Sequence, residues 1–160
     1  MIAILLNDAS FEQDIRELLM AFYPGETFTH KEEEAGEAEL IVRGVRDGNS
    51  FSLDVAPVKK EAVHFALIYP DFSNRFETKN EIKQTLYRLL SAQTGRELPW
   101  GTLTGIRPTK IALTKLYDGW TDEQIETYMR ETYFTSKEKI DLSIDVAERE
   151  RRLLSTIDYE

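Results

Sequence analysis

The hydrophobic pattern of this chain changes near residue 98. Up to that point strand-like runs alternate with helical stretches, whereas beyond it apolar residues recur only at helical spacing. A chain segment of the first kind favours an α+β layer, in which helices pack on a sheet. The sequence therefore predicts an α+β domain over 1–98, followed by a helical adaptor over 99–160.

The first part has the element order β-α-β-β-β-α, which indicates a small, largely antiparallel sheet with two helices. Asp47-Gly48 supplies the positive-φ residue of a hairpin turn between the second and third strands. The run 63–69 is almost continuously apolar, which is typical of a strand covered on both faces near the centre of a sheet. The glutamate-rich stretch 31–39 predicts a solvated loop. Strands are expected at 2–6, 39–45, 50–58 and 63–69.

Two capping boxes mark the helix starts of the first part. In a capping box, the first side chain and a Glu or Gln three residues later each bond to the other's backbone N–H. Ser10 with Gln13 and Thr78 with Glu81 have this spacing. Gly95 follows the second helix and is expected to end it, because glycine adopts the left-handed conformation of a helix stop.

The second part reads as a three-helix segment. Pro108 favours the first turn of a helix, because its missing N–H has no partner there in any case. The stretches "TDEQ" (121–124) and "TSKE" (135–138) have the composition of caps for two further helices.

Composition excludes several classes of function for these 160 residues. The sequence has no cysteine, so it cannot form disulfides, thiolate zinc sites or a cysteine-held iron–sulfur cluster. A net charge of -9 argues against nucleic acid as a partner. No run of roughly 18 apolar residues is present to span a membrane, and the apolar start is too short for a signal peptide. A cytoplasmic protein is expected.

The residues that commonly carry catalysis or bind metals are scattered. His30 and His64 fall in separate elements, with no second ligand at a suitable spacing, so a histidine metal site or catalytic triad is not expected. Glu32, Glu33 and Glu34 lack the turn glycine and alternating oxygen ligands of a calcium loop. No catalytic residue and no metal ligand is therefore assigned.

The stretch "PWGTLTGIRPTK" (99–110) is the candidate binding segment. A helix that starts at its proline directs free backbone N–H groups and a partial positive charge outward, so it could hold a phosphate or a carboxylate. The spacing differs from that of a nucleotide-binding P-loop. The same residues also suit a purely structural joint between the two parts, and both interpretations stay open. The candidate interdomain or anion contacts are Trp100, Gly105, Arg107, Pro108, Thr109 and Lys110.

This stretch, together with "DGWTDEQ" and "YFTSKEKIDLSIDVAERE", resembles the segment before the catalytic domain in HemZ-type oxygen-independent coproporphyrinogen III oxidases. These are radical S-adenosylmethionine proteins of bacterial haem biosynthesis. The resemblance covers about 99–152, whereas 1–98 matches the family only in layout. It implies a parent protein with a [4Fe-4S] cluster and S-adenosylmethionine on a barrel, neither of which this chain would hold.

The resemblance also implies which partners to expect. The expected partner is the protein's own C-terminal radical S-adenosylmethionine domain, with an electron donor as a further candidate. Leu153, Leu154 and Ile157 have no later element to cover them, which indicates a longer chain or an oligomer contact. The alternative is a stand-alone module that binds an anion, RNA or another protein through 99–117.

Overall fold

The computed structural model describes residues 1–60, 63–104 and 108–157, with side chains as far as residue 156. The chain divides into two compact units. Unit one comprises Met1–Glu97 and unit two comprises Leu98–Glu160. Within the described residues, no helix combines the length and the apolar character that crossing a membrane requires.

Unit one is built on a five-stranded sheet of order β2-β1-β3-β4-β5. Strand β1 runs parallel to β2 and β3, while β3, β4 and β5 pair antiparallel through successive hairpins. This confirms the predicted α+β class with a mostly antiparallel sheet. The strands are β1 Ile2–Leu6, β2 Phe28–Thr29, β3 Leu40–Asp47, β4 Ser50–Pro57 and β5 His64–Ile68.

Two helices, α1 (Glu12–Phe22) and α2 (Arg75–Thr94), cover one face of this sheet. They pack against each other, with the rings of Phe22 and Tyr87 in edge contact at 5.4 Å between centroids. Alternate strand residues point into this layer, as Phe51, Leu53 and Val55 of β4 do. Burying such side chains contributes about 1.5–3 kcal/mol each, so this layer is the main source of stability in unit one.

The opposite face of the sheet is covered only in part. A short 3-10 helix, Glu32–Glu37, places Ala35 against Ala3 and Leu5 of β1. The prediction of a solvated loop over 31–39 was therefore wrong. The reason is non-local, because most of the glutamates face solvent while two alanines, Ala35 and Ala38, pack on a distant strand. The two-residue strand β2 was also missed, since it is too short to have a recognisable pattern.

The predicted caps of unit one were wrong at both helices. A 3-10 turn, Ala9–Phe11, precedes α1, and the Asp8 carboxylate accepts from the Ser10 N–H at 3.0 Å. Helix α2 begins earlier than expected, because the Asn74 side chain accepts from the Glu77 N–H at 3.1 Å. The Thr78 hydroxyl instead donates to backbone carbonyls behind it.

The prediction of a central position for 63–69 was also wrong. Strand β5 pairs with β4 alone among the described strands and lies at the edge of the sheet. Its residues alternate between half-buried and exposed, and Phe65 and Leu67 are both exposed. A continuous apolar run is compatible with two buried faces, but here only one face of β5 meets a helix.

Unit two contains the three predicted helices, α3 Pro108–Tyr117, α4 Asp122–Tyr133 and α5 Lys137–Ile157. The expected cap of α4 is present and takes the form of a capping box, because Thr121 and Gln124 each bond to the other's backbone. For α5 the Ser136 hydroxyl accepts from the Lys139 N–H. The buried core of this unit is Leu103, Ala112, Leu116, Ile125, Met129, Ile140, Ile144 and Ala147.

Candidate functional site

The first half of the candidate segment is bonded to the junction between α4 and α5. The Thr102 N–H donates to the Tyr133 carbonyl at 2.7 Å, and the Ser136 N–H donates to the Pro99 carbonyl at 2.8 Å. The Thr135 hydroxyl donates to the Trp100 carbonyl at 3.2 Å. These bonds lie on both sides of Trp100, so they fix the backbone at this position within unit two.

Gly101 lies at the tightest point of this junction. Its φ is +62°, and a Cβ added there would collide with the backbone of Tyr133 and Phe134. Phe134 itself ends α4 in the left-handed conformation, with φ +58°. The glycine is therefore required for two reasons, its backbone conformation and the close approach of the α4 terminus.

The two tryptophans that bracket the segment occupy different surroundings. Trp100 is half-buried against the core of unit two, with the Lys139 ammonium 5.5 Å from its ring centroid. Trp120 stands edge-on to Tyr128, at 5.5 Å between ring centroids. The Lys115 ammonium lies over both of the latter rings, at 4.4 Å and 4.6 Å from their centroids.

A third aromatic ring extends this cluster into the unit. Tyr133 meets Tyr128 edge-on at 5.8 Å between centroids, and their hydroxyls are 3.4 Å apart. Burial, followed by the hydrogen bond between the Tyr133 and Tyr128 hydroxyls, raises the pKa of the Tyr133 phenol above its ordinary value of 10.0. The neutral phenol is therefore the form that the folded unit favours.

An open depression of about 600 Å³ lies beside this aromatic cluster. Its floor combines the Trp120 and Tyr128 rings with side chains from the first turns of α4. Trp120 was not among the predicted contact residues, and the eight-residue separation from Tyr128 gave no local signal that the rings would meet. The depression is lined by Trp120, Thr121, Glu123, Gln124, Thr127 and Tyr128.

The structure describes only some of the predicted contact residues. Gly105 and Arg107 lie outside the described residues. Pro108 begins α3, as predicted, and Thr109 beside it is half-buried. Lys110 is exposed in the first turn. The described part of the segment thus combines a bonded stretch around Trp100 with one accessible cation, Lys110.

The histidines occupy the separate positions that the sequence indicated. The Glu12 carboxylate lies 2.8 Å from His30 Nε2, at the surface of unit one. His64 is half-buried on the edge strand β5. Among the residues that the structure describes, no three His, Asp or Glu side chains gather into a metal site. With no cysteine in the sequence, these residues do not fit an iron–sulfur cluster.

No family model and no solved structure matches the chain. The chain is similar to the oxygen-independent coproporphyrinogen-III oxidase-like protein HemZ of Bacillus subtilis (strain 168). The two are 36% identical over 90 residues, which is 54% of this chain and 18% of the relative.

The extent of this similarity bears on unit one. The matched stretch is longer than Leu98–Glu160, so it includes residues of unit one as well. The chain spans less than a fifth of the length of the curated relative it matches. The similarity therefore supports a HemZ-like relationship over part of the chain.

Proposed function

We propose that these residues form a non-catalytic N-terminal region of an oxygen-independent coproporphyrinogen III oxidase-like protein of haem biosynthesis, in which they pack on or cover a radical S-adenosylmethionine barrel. The observation that carries the proposal is the 36% identity to HemZ over 90 residues, a stretch that includes part of unit one. A region with this role contributes by excluding water from a reactive centre or by holding a domain in place.

The surface of unit two supports a packing role. The first half of α5 is anchored by buried Ile140, Ile144 and Ala147, whereas side chains 151–156 are all exposed. Two large apolar residues, Leu153 and Leu154, stand in this exposed part. Leucines that face water in the isolated unit are suited to burial against a further domain.

The cations near the start of α3 also fit the proposed packing role. Lys110 is exposed in the first turn of the helix, and Arg107 precedes it in the sequence. A helix start with two such side chains is suited to a carboxylate, on the surface of a barrel or on a substrate propionate. We favour acidic side chains of the barrel over the substrate as their contact.

The proposal requires that the catalytic groups lie elsewhere in the protein. The cysteine-held cluster needs three thiolates, and these residues contain none. A direct check is the genomic reading frame downstream of residue 160, which is expected to encode three closely spaced cysteines. A stop codon directly after residue 160 would contradict the proposal.

The biochemical test compares two variants in the protein encoded by the whole gene. Leu153→Glu combined with Leu154→Glu is expected to lower coproporphyrinogen III turnover and to speed proteolysis between α5 and the barrel. The matched control is Tyr117→Glu, which also places a charge at an exposed apolar residue of unit two. The proposal fails if the leucine variant behaves as the control does, or if residues 1–160 alone turn over the substrate.

A further inference from the structure

A small open cavity lies where the parallel strands of unit one end. Strand β1 runs in the same direction as both β2 and β3, so the carboxyl ends of the three strands lie at one end of the sheet. The cavity measures about 250 Å³, which is less than the roughly 300–1,000 Å³ of pockets that hold drug-sized ligands. It is therefore sized for a small molecule. Its lining includes Leu5, Asn7, His30, Glu32, Arg43 and Val45.

The connections between these strands create a crevice at the same place. The chain that follows β1 enters α1 on the helical face of the sheet, whereas the chain that follows β2 enters the 3-10 helix Glu32–Glu37 on the opposite face. Neighbouring parallel strands whose connections diverge in this way leave a crevice at their carboxyl ends, and open α/β sheets commonly bind ligands there. Leu5 and Asn7 line the cavity at the end of β1, and His30 lines it directly after β2.

Two opposite charges meet at the wall of the cavity. The Arg43 guanidinium donates to both carboxylate oxygens of Glu32, at 2.7 Å and 3.1 Å. This bonding holds the pKa of the Glu32 carboxyl below its ordinary value, so both groups are charged at neutral pH. Both side chains remain partly open to solvent, with exposed fractions of 41% for Arg43 and 65% for Glu32. An exposed pair of this kind contributes little to stability, so a ligand can separate it at small cost.

The Asn7 and His30 side chains of the lining are fixed by contacts of their own. The Asn7 amide donates to the Arg46 carbonyl at 2.8 Å and accepts from the Arg46 N–H at 2.7 Å. His30 Nε2 lies 2.8 Å from the Glu12 carboxylate at the start of α1. These two side chains therefore shape the wall, and the Arg43–Glu32 pair is the part of the lining that is suited to holding a charged ligand.

We infer that this cavity binds a small zwitterion, of the class of the α-amino acids with an aliphatic side chain. The carboxylate of the ligand takes the place of Glu32 on the Arg43 guanidinium, and the ammonium of the ligand pairs with Glu32. One ion pair is thereby replaced by two, and each new pair is a charge-assisted hydrogen bond. Leu5 and Val45 supply apolar surface for the aliphatic side chain. The inference concerns unit one alone and does not rest on the proposed function.

The charges around the cavity disfavour a ligand that carries only one charge. Glu32 first, and Asp54 on the neighbouring strand to a smaller extent, hold the pKa of Arg43 above its ordinary value. A simple carboxylate would have to displace Glu32 and would then lie beside two unpaired acids. A simple amine would have to share Glu32 with Arg43, which places two cations side by side. Like charges at such short distances repel each other, and a zwitterion avoids both arrangements.

An NMR titration of the 160-residue chain with leucine and two analogues tests the inference. Each analogue keeps the aliphatic part of leucine and lacks one charge, since 4-methylpentanoate has no ammonium and 3-methylbutylamine has no carboxylate. Leucine is expected to bind with a dissociation constant on the order of millimolar, because the ligand is small and the cavity is open. Each analogue is expected to bind about tenfold more weakly or worse, because one charged hydrogen bond is lost. No leucine binding at ten times the expected dissociation constant, or an analogue that binds as tightly as leucine, would overturn the inference.

Two substitutions in the same chain test which residue holds which charge of the ligand. Arg43→Gln is expected to weaken leucine binding about tenfold or more. Glu32→Gln is expected to weaken leucine binding as well, but to strengthen the binding of 4-methylpentanoate, which then meets an arginine free of its acid. The matched control is Arg130→Gln, which breaks an exposed pair with Glu126 in unit two and is expected to leave leucine affinity unchanged. An equal loss in the control, or a Glu32→Gln variant that binds 4-methylpentanoate no better than the wild type, would refute the assignment.

Discussion

Gly101 lies directly against the carbonyl of Tyr133, with no room for a side chain between them. This contact lets the Thr102 N–H reach the same carbonyl at 2.7 Å. The bonds on either side of Gly101 hold the segment 99–104 to the end of α4. The glycine is therefore a structural requirement of unit two, whatever the unit binds.

Gly101→Ala is expected to destabilise unit two by more than the ~1 kcal/mol that an unfavourable positive φ costs an alanine. The added Cβ must push the α4 terminus away in addition to adopting a φ of +62°. Gly119→Ala is the control, because Gly119 has φ +84° but no atom within 4 Å of its Cβ position. Urea denaturation measures both variants, and equal losses would contradict the close approach.

Lys115→Gln is expected to lower the free energy of unfolding of unit two by about 0.5–1 kcal/mol. The substitution removes the ammonium that lies over the Trp120 and Tyr128 rings. Lys115→Arg keeps a cation at this position and is expected to retain most of the stability. Denaturation monitored by tryptophan fluorescence reports both variants, and an Arg variant as unstable as the Gln variant would argue against the cation–π contact.

The stability of unit two is expected to fall as the pH rises above about 10. The folded unit raises the pKa of Tyr133, so the unfolded chain loses this proton first as the pH increases. The stabilisation is complete below the unfolded pKa of 10.0 and is lost toward the folded pKa.

Tyr133→Phe removes the ionisable group and is expected to flatten this part of the pH dependence. The control Tyr117→Phe changes a tyrosine that is exposed in α3. This control is expected to leave the pH dependence of stability unchanged. The measurement is the free energy of unfolding from about pH 8 to about pH 11. A Tyr133→Phe variant with the wild-type slope would show that another group causes the dependence.

Lys110→Glu is expected to leave the isolated chain as stable as the wild type or to stabilise it by about 0.3–1 kcal/mol. Lys110 is exposed in the first turn of α3, where the helix dipole favours a negative charge. Lys115→Glu changes a residue in the last turn of α3 and is expected to destabilise the chain. If Lys110→Glu destabilises the chain, the lysine makes a contact within unit two that the dipole argument omits.

For the candidate segment 99–110, the sequence left two roles open, which are anion binding and a structural joint. Pro108 identified a helix start correctly, because its fixed φ and missing N–H act locally. The positive φ of Gly101 was not predicted, since the contact that requires it comes from Tyr133, far along the chain. The same holds for Lys115, whose two ring partners become neighbours only when α3 and α4 pack.

The sequence alone determined the elements that depend on near neighbours. Periodicity gave the two helices of unit one and the three helices of unit two, and Asp47-Gly48 gave the β3–β4 hairpin. Tertiary structure alone decided the order of the strands, and it placed β5 at the edge instead of the centre. Hydrophobicity specifies that a strand can be buried, but burial itself depends on which elements are available to cover it. One helix meets one face of β5, and the Phe65 face is left in water because no described element packs there.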